Sequence, residues 1–212
     1  MATNAHGACP THSRPPAWRA LLIAGAVVFA SGAATPTHVA AQSARTARAA
    51  RPNIIYIMTD DHAAHAISAY GSRVNRTPHL DRLAKEGALL SSVFATNSIC
   101  TPSRAAILTG QYSHLNGVTV FNRFDSGRMT IARLMQRGGY FTGMIGKWHL
   151  GSDPQGFDQW EILPGQGVYF NPIMYTATSE KTYRGQYATD VITDRALALL
   201  GPRPNDKPFF LM

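Results

Sequence analysis

The sequence predicts an α/β fold, a mostly parallel β-sheet flanked by helices, because short β-branched runs alternate with capped helical segments and polar residues gather where the runs end. The first run, Asn53-Ile54-Ile55-Tyr56-Ile57-Met58, is too short for a helix of ordinary length and apolar throughout, the pattern of a strand buried on both faces. It stops at Thr59-Asp60-Asp61-His62. Thr77 can cap a helix that has Pro78 at its first position, Leu80, Leu83 and Ala84 on one face, and Gly87 as its stop. Ala88 to Ala95 reads as a second strand, and Asn97 to Thr101 as a loop. Pro102 then opens a helix through Ile107 and Leu108 to Gly110, so that Cys100 lies just ahead of a helix N-terminus.

Thr130 caps a third helix, with Ile131, Leu134 and Met135 expected on its buried side and Gly138-Gly139 at its end. Tyr140 to Ile145 follows as a strand, closed by Gly146-Lys147-Trp148-His149-Leu150-Gly151. The Gly-, Pro- and aromatic-rich stretch from Gly156 to Pro172 has the composition of a long surface loop that lines a site. Tyr187 to Leu200 reads as a helix stopped by Gly201-Pro202, and Pro208 to Met212 as the beginning of an apolar strand, leaving the sheet incomplete at the C-terminus. In a parallel sheet, ligands bind outside the carboxyl ends of the strands. Asp60-Asp61 and Lys147-His149 fall at such ends and should converge with Cys100.

At 212 residues, with 45% hydrophobic and 15% charged, the chain can build one core of ordinary size. Its formal charge of +8 favours anions, but the arginines are scattered and form no basic helix, which argues against a nucleic-acid partner. Arg14 and Arg19 precede an apolar run from Ala20 to Ala30, and Val39-Ala40-Ala41 supplies a cleavage site. Residues 1–41 are therefore read as a signal peptide and 42–51 as a flexible lead-in, with the ordered domain at 52–212. The protein is expected to be exported, periplasmic or secreted, and to meet a membrane only through an uncleaved leader. Cleavage removes Cys9 and leaves Cys100 alone, whether inert, bridged between molecules, or kept for chemistry.

The strongest pattern is Cys100-Thr101-Pro102-Ser103-Arg104, running on to Thr109-Gly110. A helix start offers free N–H groups and partial positive charge, and Arg104 in the first turn adds a full one, which suits a thiolate or a tetrahedral anion. An ordinary buried cysteine at a helix start is the competing reading. Asp60 and Asp61 are adjacent carboxylates whose repulsion a cation would relieve, and hard oxygen donors select Ca²⁺ or Mg²⁺ over zinc. Alternatively, one of them merely caps the following turn. Lys147 and His149 are two apart and would project to one side of an extended segment, a fixed charge beside a proton donor. A surface lysine next to a core histidine is the plainer alternative. His62 and His65 are candidates to line the cleft, whereas His79 and His114 read as structural.

Taken together, these motifs resemble the sulfatase family over Arg51 to Met212. The Cys-x-Pro-x-Arg run with its Thr-Gly ending is similar to the sulfatase signature, accompanied in order by Pro52-Asn53-Ile54 through Asp60-Asp61, Tyr70-Gly71, Thr77-Pro78-His79-Leu80-Asp81-Arg82-Leu83-Ala84 and Gly146 to Gly151. The resemblance implies the alkaline phosphatase-like sulfatase fold and the oxidation of Cys100 to formylglycine by a maturation enzyme. It also implies Arg104 as a stabilising neighbour, Lys147 as a contact to formylglycine and sulfate, and His149 as a partner of the formylglycine hydroxyls. Calcium would be bound by Asp60, Asp61 and residue 100. In the implied cycle, one hydroxyl of the hydrated aldehyde attacks sulfur and the other expels sulfate. Trp160 to Gly167, with Tyr169-Phe170-Asn171-Pro172, looks similar to bacterial sulfatases acting on sulfated sugars, so the expected substrate is a sulfated carbohydrate or an aryl sulfate. The alternatives are a phosphodiesterase or phosphonate monoester hydrolase of the same superfamily, or an inactive anion-binding chain.

Overall fold

The structure, a computed structural model, describes residues 51–201 and 207–212; the leader and most of the lead-in lie outside these residues. A six-stranded sheet forms the frame, with strands β1 (Ile54–Ile55), β2 (Phe141–Lys147), β3 (Gln159–Leu163), β4 (Ile173–Tyr175), β5 (Glu180–Thr182) and β6 (Phe209–Leu211) in the order β1-β6-β2-β3-β4-β5. The pairs β1–β6, β6–β2 and β2–β3 are parallel, and β4 and β5 add an antiparallel end. The expected parallel sheet is thus present with a mixed edge. Among the described residues five α-helices accompany it: α1 (Pro78–Glu86), α2 (Cys100–Thr109), α3 (Ser113–Asn116), α4 (Ile131–Arg137) and α5 (Ala188–Leu200).

Strand alternation divides the core between the two faces of the sheet. Met144 and Phe210 pack with Ala105 and Leu108 of α2 and Ala132 of α4. Phe141, Phe209 and Leu211 pack with Leu199 of α5 on the opposite face. Fully burying a side chain of this size contributes about 1.5–3 kcal/mol, so these two layers hold β2 and β6 at the centre. Gly143 permits the α5 layer: a Cβ built there would lie 2.9 Å from Leu199 Cδ2 and 3.2 Å from Leu211 Cδ1.

Several expectations need correction. The segment 88–95 is not a strand; it has no paired neighbour among the described residues, and Val93 and Phe94 are exposed, since β-propensity yields a strand only where a sheet edge accepts it. The first strand is not buried on both faces either: β1 pairs with β6 alone, and Ile55 is exposed. Helix α1 starts at Pro78 and stops at Gly87 as expected, but Leu80 and Leu83 stay exposed, and Thr77 Oγ1 bonds with Ser68 and Asp81 rather than capping. In α4 the Thr130 cap is present, accepting from the Arg133 N–H, yet Ala132 and Met135 face the core while Ile131 and Leu134 point outward; the small residue lets the helix approach the sheet. The supposed loop from Gly156 to Pro172 contains β3. Arg51, assigned to the lead-in, is held by the Gly138 carbonyl and lies over the Tyr140 ring. Among the described residues no helix is long and apolar enough to cross a membrane.

Candidate active site

Helix α2 begins at Cys100 itself, with Ile99 as its N-cap and no side chain capping it, so the helix starts two residues earlier than Pro102 suggested. The first turn therefore presents unbonded N–H groups around residue 100. Behind it, Thr101, Arg104 and Ala105 are buried and fix the helix against the sheet. Cys100 is a free cysteine.

Three elements meet at Asp60, which follows β1. Arg104 Nη2 of α2 lies 3.0 Å from Asp60 Oδ2, Lys147 Nζ at the end of β2 lies 2.9 Å from the same oxygen, and Asp60 Oδ1 is 3.9 Å from Cys100 Sγ. Lys147 Nζ is also 3.6 Å from Cys100 Sγ. Arg104 donates its other terminal N–H to the Lys147 carbonyl, so one guanidinium ties the β2 terminus to the segment after β1. Burial pushes the Asp60 carboxyl up, but hydrogen bonds and charge from Lys147 and Arg104 outweigh it and hold the group below its ordinary value. The convergence expected of Asp60 and Lys147 with Cys100 is thus seen at the carboxyl edge of the sheet, and Arg104 joins them there.

His149 reaches the site by a different route from the one its spacing suggested. Its φ is 53°, in the left-handed region, so the chain is not extended there and the two-residue alternation with Lys147 fails. Its carbonyl accepts from Thr101 Oγ1 at 2.9 Å, and its ring packs against Phe121 at 5.6 Å between centroids. Burial, with the Lys147 and Arg104 charges, lowers its pKa, so the imidazole is neutral near pH 7. The ring Nδ1 is buried without a hydrogen-bond partner. A cavity of about 310 Å³ opens beside it, lined by Thr101, Phe121, Trp148, His149, Ser152 and Leu163 among others.

Asp61 has a φ of 47° and is exposed next to Asp60. Among the described residues no group of three or more His, Cys, Asp or Glu side chains is placed to hold a metal ion. The donor chemistry fits part of a hard-cation site: adjacent carboxylates, one already oriented by two cationic side chains, with fewer oxygens than the six to eight that calcium takes. His62 Nδ1 lies 3.2 Å from Thr59 Oγ1, and His114 stacks on Tyr112.

Residues that spacing did not single out complete the picture. Thr101 and Phe121 brace His149, and Gln166, which lies within the Trp160 to Gly167 stretch, accepts a hydrogen bond from Lys147 Nζ. Buried Glu161 on β3 accepts from Tyr183 Oη and from Arg195 Nε, each at 2.7 Å, locking β3 to α5. Burial and the Glu161 carboxylate raise the Tyr183 hydroxyl to about 12.

The sulfatase family model matches residues 52–212, the span that carries all of these groups. The chain belongs to the sulfatase family. Among its relatives, the N-acetylglucosamine-6-O-sulfatase of Bacteroides thetaiotaomicron is 48% identical over 166 residues, covering 76% of this chain and 30% of the relative. Human arylsulfatase D is 43% identical over 119 residues, 50% of this chain and 20% of that protein. A solved structure, BT4656 in complex with its substrate D-glucosamine-2-N,6-O-disulfate, superposes with a TM-score of 0.74 at 48% identity, covering 76% of this chain and 33% of that one. This sulfatase chain therefore spans between a fifth and a third of the length of these relatives. The α/β sheet with helices on both faces agrees with the expected sulfatase fold.

Proposed function

We propose that the protein hydrolyses sulfate esters of sugars, an amino sugar sulfated at the 6-oxygen being the favoured substrate, through a formylglycine made from Cys100 by a maturation enzyme. The observation that carries this reading is the cationic pair around residue 100: Lys147 Nζ lies 3.6 Å from Cys100 Sγ, with Arg104 sharing Asp60 behind it. The substrate class is supported by the 48% identity to an N-acetylglucosamine-6-O-sulfatase. Once oxidised to the aldehyde and hydrated by addition of water, residue 100 supplies a hydroxyl nucleophile in place of sulfur. Lys147 holds a positive charge where negative charge builds on the sulfuryl oxygens, and Arg104 keeps Asp60 and the β2 terminus in register with it. Neutral His149 offers a ring nitrogen as a hydrogen-bonding partner to groups on residue 100 or on the leaving alcohol. Asp60 and Asp61 would hold calcium in part, supplying a Lewis acid beside the sulfate. Export is part of the same proposal, supported by the leader-like pattern of residues 1–41.

The test joins mass spectrometry of the Cys100 peptide, from a host with converting activity, to turnover of a 6-sulfated amino sugar by the full-length protein. A formyl group at residue 100, turnover by the wild type and its loss in Cys100→Ala are the expected results. An unmodified thiol in an active enzyme would overturn the covalent route.

A further inference from the structure

A lysine ammonium has three N–H donors and no acceptor. All three of Lys147 are accounted for in the described site: Asp60 Oδ2 at 2.9 Å, Cys100 Sγ at 3.6 Å, and the side-chain oxygen of Gln166. The first two are groups of the site itself. Among the described residues Gln166 is joined to the site by its hydrogen bond from the Lys147 ammonium. We infer that Gln166 is a positioning residue, which fixes the Lys147 ammonium against residue 100 and takes no part in the chemistry itself.

The backbone explains how a residue on an exposed loop does this. Lys147 and Leu163 are register partners across the parallel β2–β3 pair, so the chain leaving β3 begins beside the lysine. It turns at once: the Gly167 N–H donates to the Pro164 carbonyl at 2.8 Å, bringing Gln166 back over the strand ends. Gly167 has a φ of 76°, and a Cβ there would lie 2.8 Å from Leu163 Cδ1, so this tight turn requires glycine. Strand β3, from which the turn springs, is held by the Glu161 contacts to Tyr183 and Arg195. Four freely rotating bonds separate the lysine ammonium from its backbone. Removing one of its three tethers lets it sample positions away from residue 100, whereas the backbone around it is unaffected.

The kinetic arm of this inference rests on the sulfate-ester reading; a second arm does not. In a host without converting activity Cys100 stays a thiol, and a cation beside a thiol speeds its alkylation. In the full-length protein, Gln166→Leu, which keeps the size but lacks the acceptor, should slow iodoacetamide alkylation of Cys100 by up to about tenfold, the factor for one charge-assisted hydrogen bond at its weaker end. In a Lys147→Ala background, Gln166→Leu should have no further effect, because the residue it acts through is gone. In the converted enzyme, Gln166→Leu should lower kcat by a similar factor with little change in KM. An equal effect of Gln166→Leu with and without Lys147, or wild-type alkylation in Gln166→Leu, would overturn the positioning role. Coupled alkylation rates in a protein that turns over no sulfate ester would leave this inference standing and overturn the reaction proposed above.

Discussion

Arg104 joins three pieces of chain, and its removal has effects that can be worked out from its contacts. One terminal nitrogen bonds Asp60 Oδ2 at 3.0 Å and the other the Lys147 carbonyl, while the side chain is only 9% exposed. A hydrogen bond involving a charged group contributes about 1.5–3 kcal/mol. The Asp60 side chain is 33% exposed, so solvent screening places that contact at the lower end. Arg104→Ala should therefore destabilise the protein by about 3 kcal/mol at pH 7, and Arg104→Lys by about 1.5 kcal/mol, since one ammonium cannot span both acceptors. Chemical denaturation with matched m-values measures both. The pH dependence gives a second check. The Asp60 carboxyl is held below its ordinary value, so the stability it contributes is present above the unfolded aspartate pKa of about 3.9 and is lost as pH falls through the lower folded value. The deficit of Arg104→Ala should accordingly shrink at acid pH toward the part due to the Lys147 carbonyl. Wild-type stability in Arg104→Lys at pH 7, or a deficit that grows on acidification, would refute this account of the guanidinium as a two-point tie.

Two further outcomes are expected. Asp61→Ala should weaken calcium binding by the full-length protein in a calorimetric titration while leaving the Asp60 ion pairs intact, and unchanged affinity would remove Asp61 from the ligand set. Gly143→Ala should cost about 1–3 kcal/mol by overpacking against Leu199, and combining it with Leu199→Ala should cost less than the sum of the two single changes, since the methyls it meets are gone; strict additivity in thermal or chemical melts would count against the packing described here.

The sequence by itself determined the parts of this protein that depend on local chemistry. Capping and stop residues located α1, α4 and α5 to within a residue or two, because Thr130, Pro78, Gly87 and Gly201 act on the backbone beside them. The cysteine signature was legible as a local pattern, and the meeting of Asp60 and Lys147 because a parallel sheet brings its strand ends to one edge. Only the tertiary structure decided whether an apolar segment would find a partner. Residues 88–95 and the outer face of α1 have the right composition for burial, but no neighbour covers them among the described residues. Strand β3 was hidden for the opposite reason: Trp160 to Leu163 stand amid glycine and proline, and pairing with β2 makes them a strand. His149 shows the same limit within the site. Its spacing from Lys147 implied a shared side on an extended chain, whereas the left-handed turn at 149 sets the ring against Phe121 instead. Gln166 carried no signal of its own, because its role depends on Lys147 and Leu163 lying side by side on neighbouring strands, and such register is a property of the assembled sheet rather than of either segment.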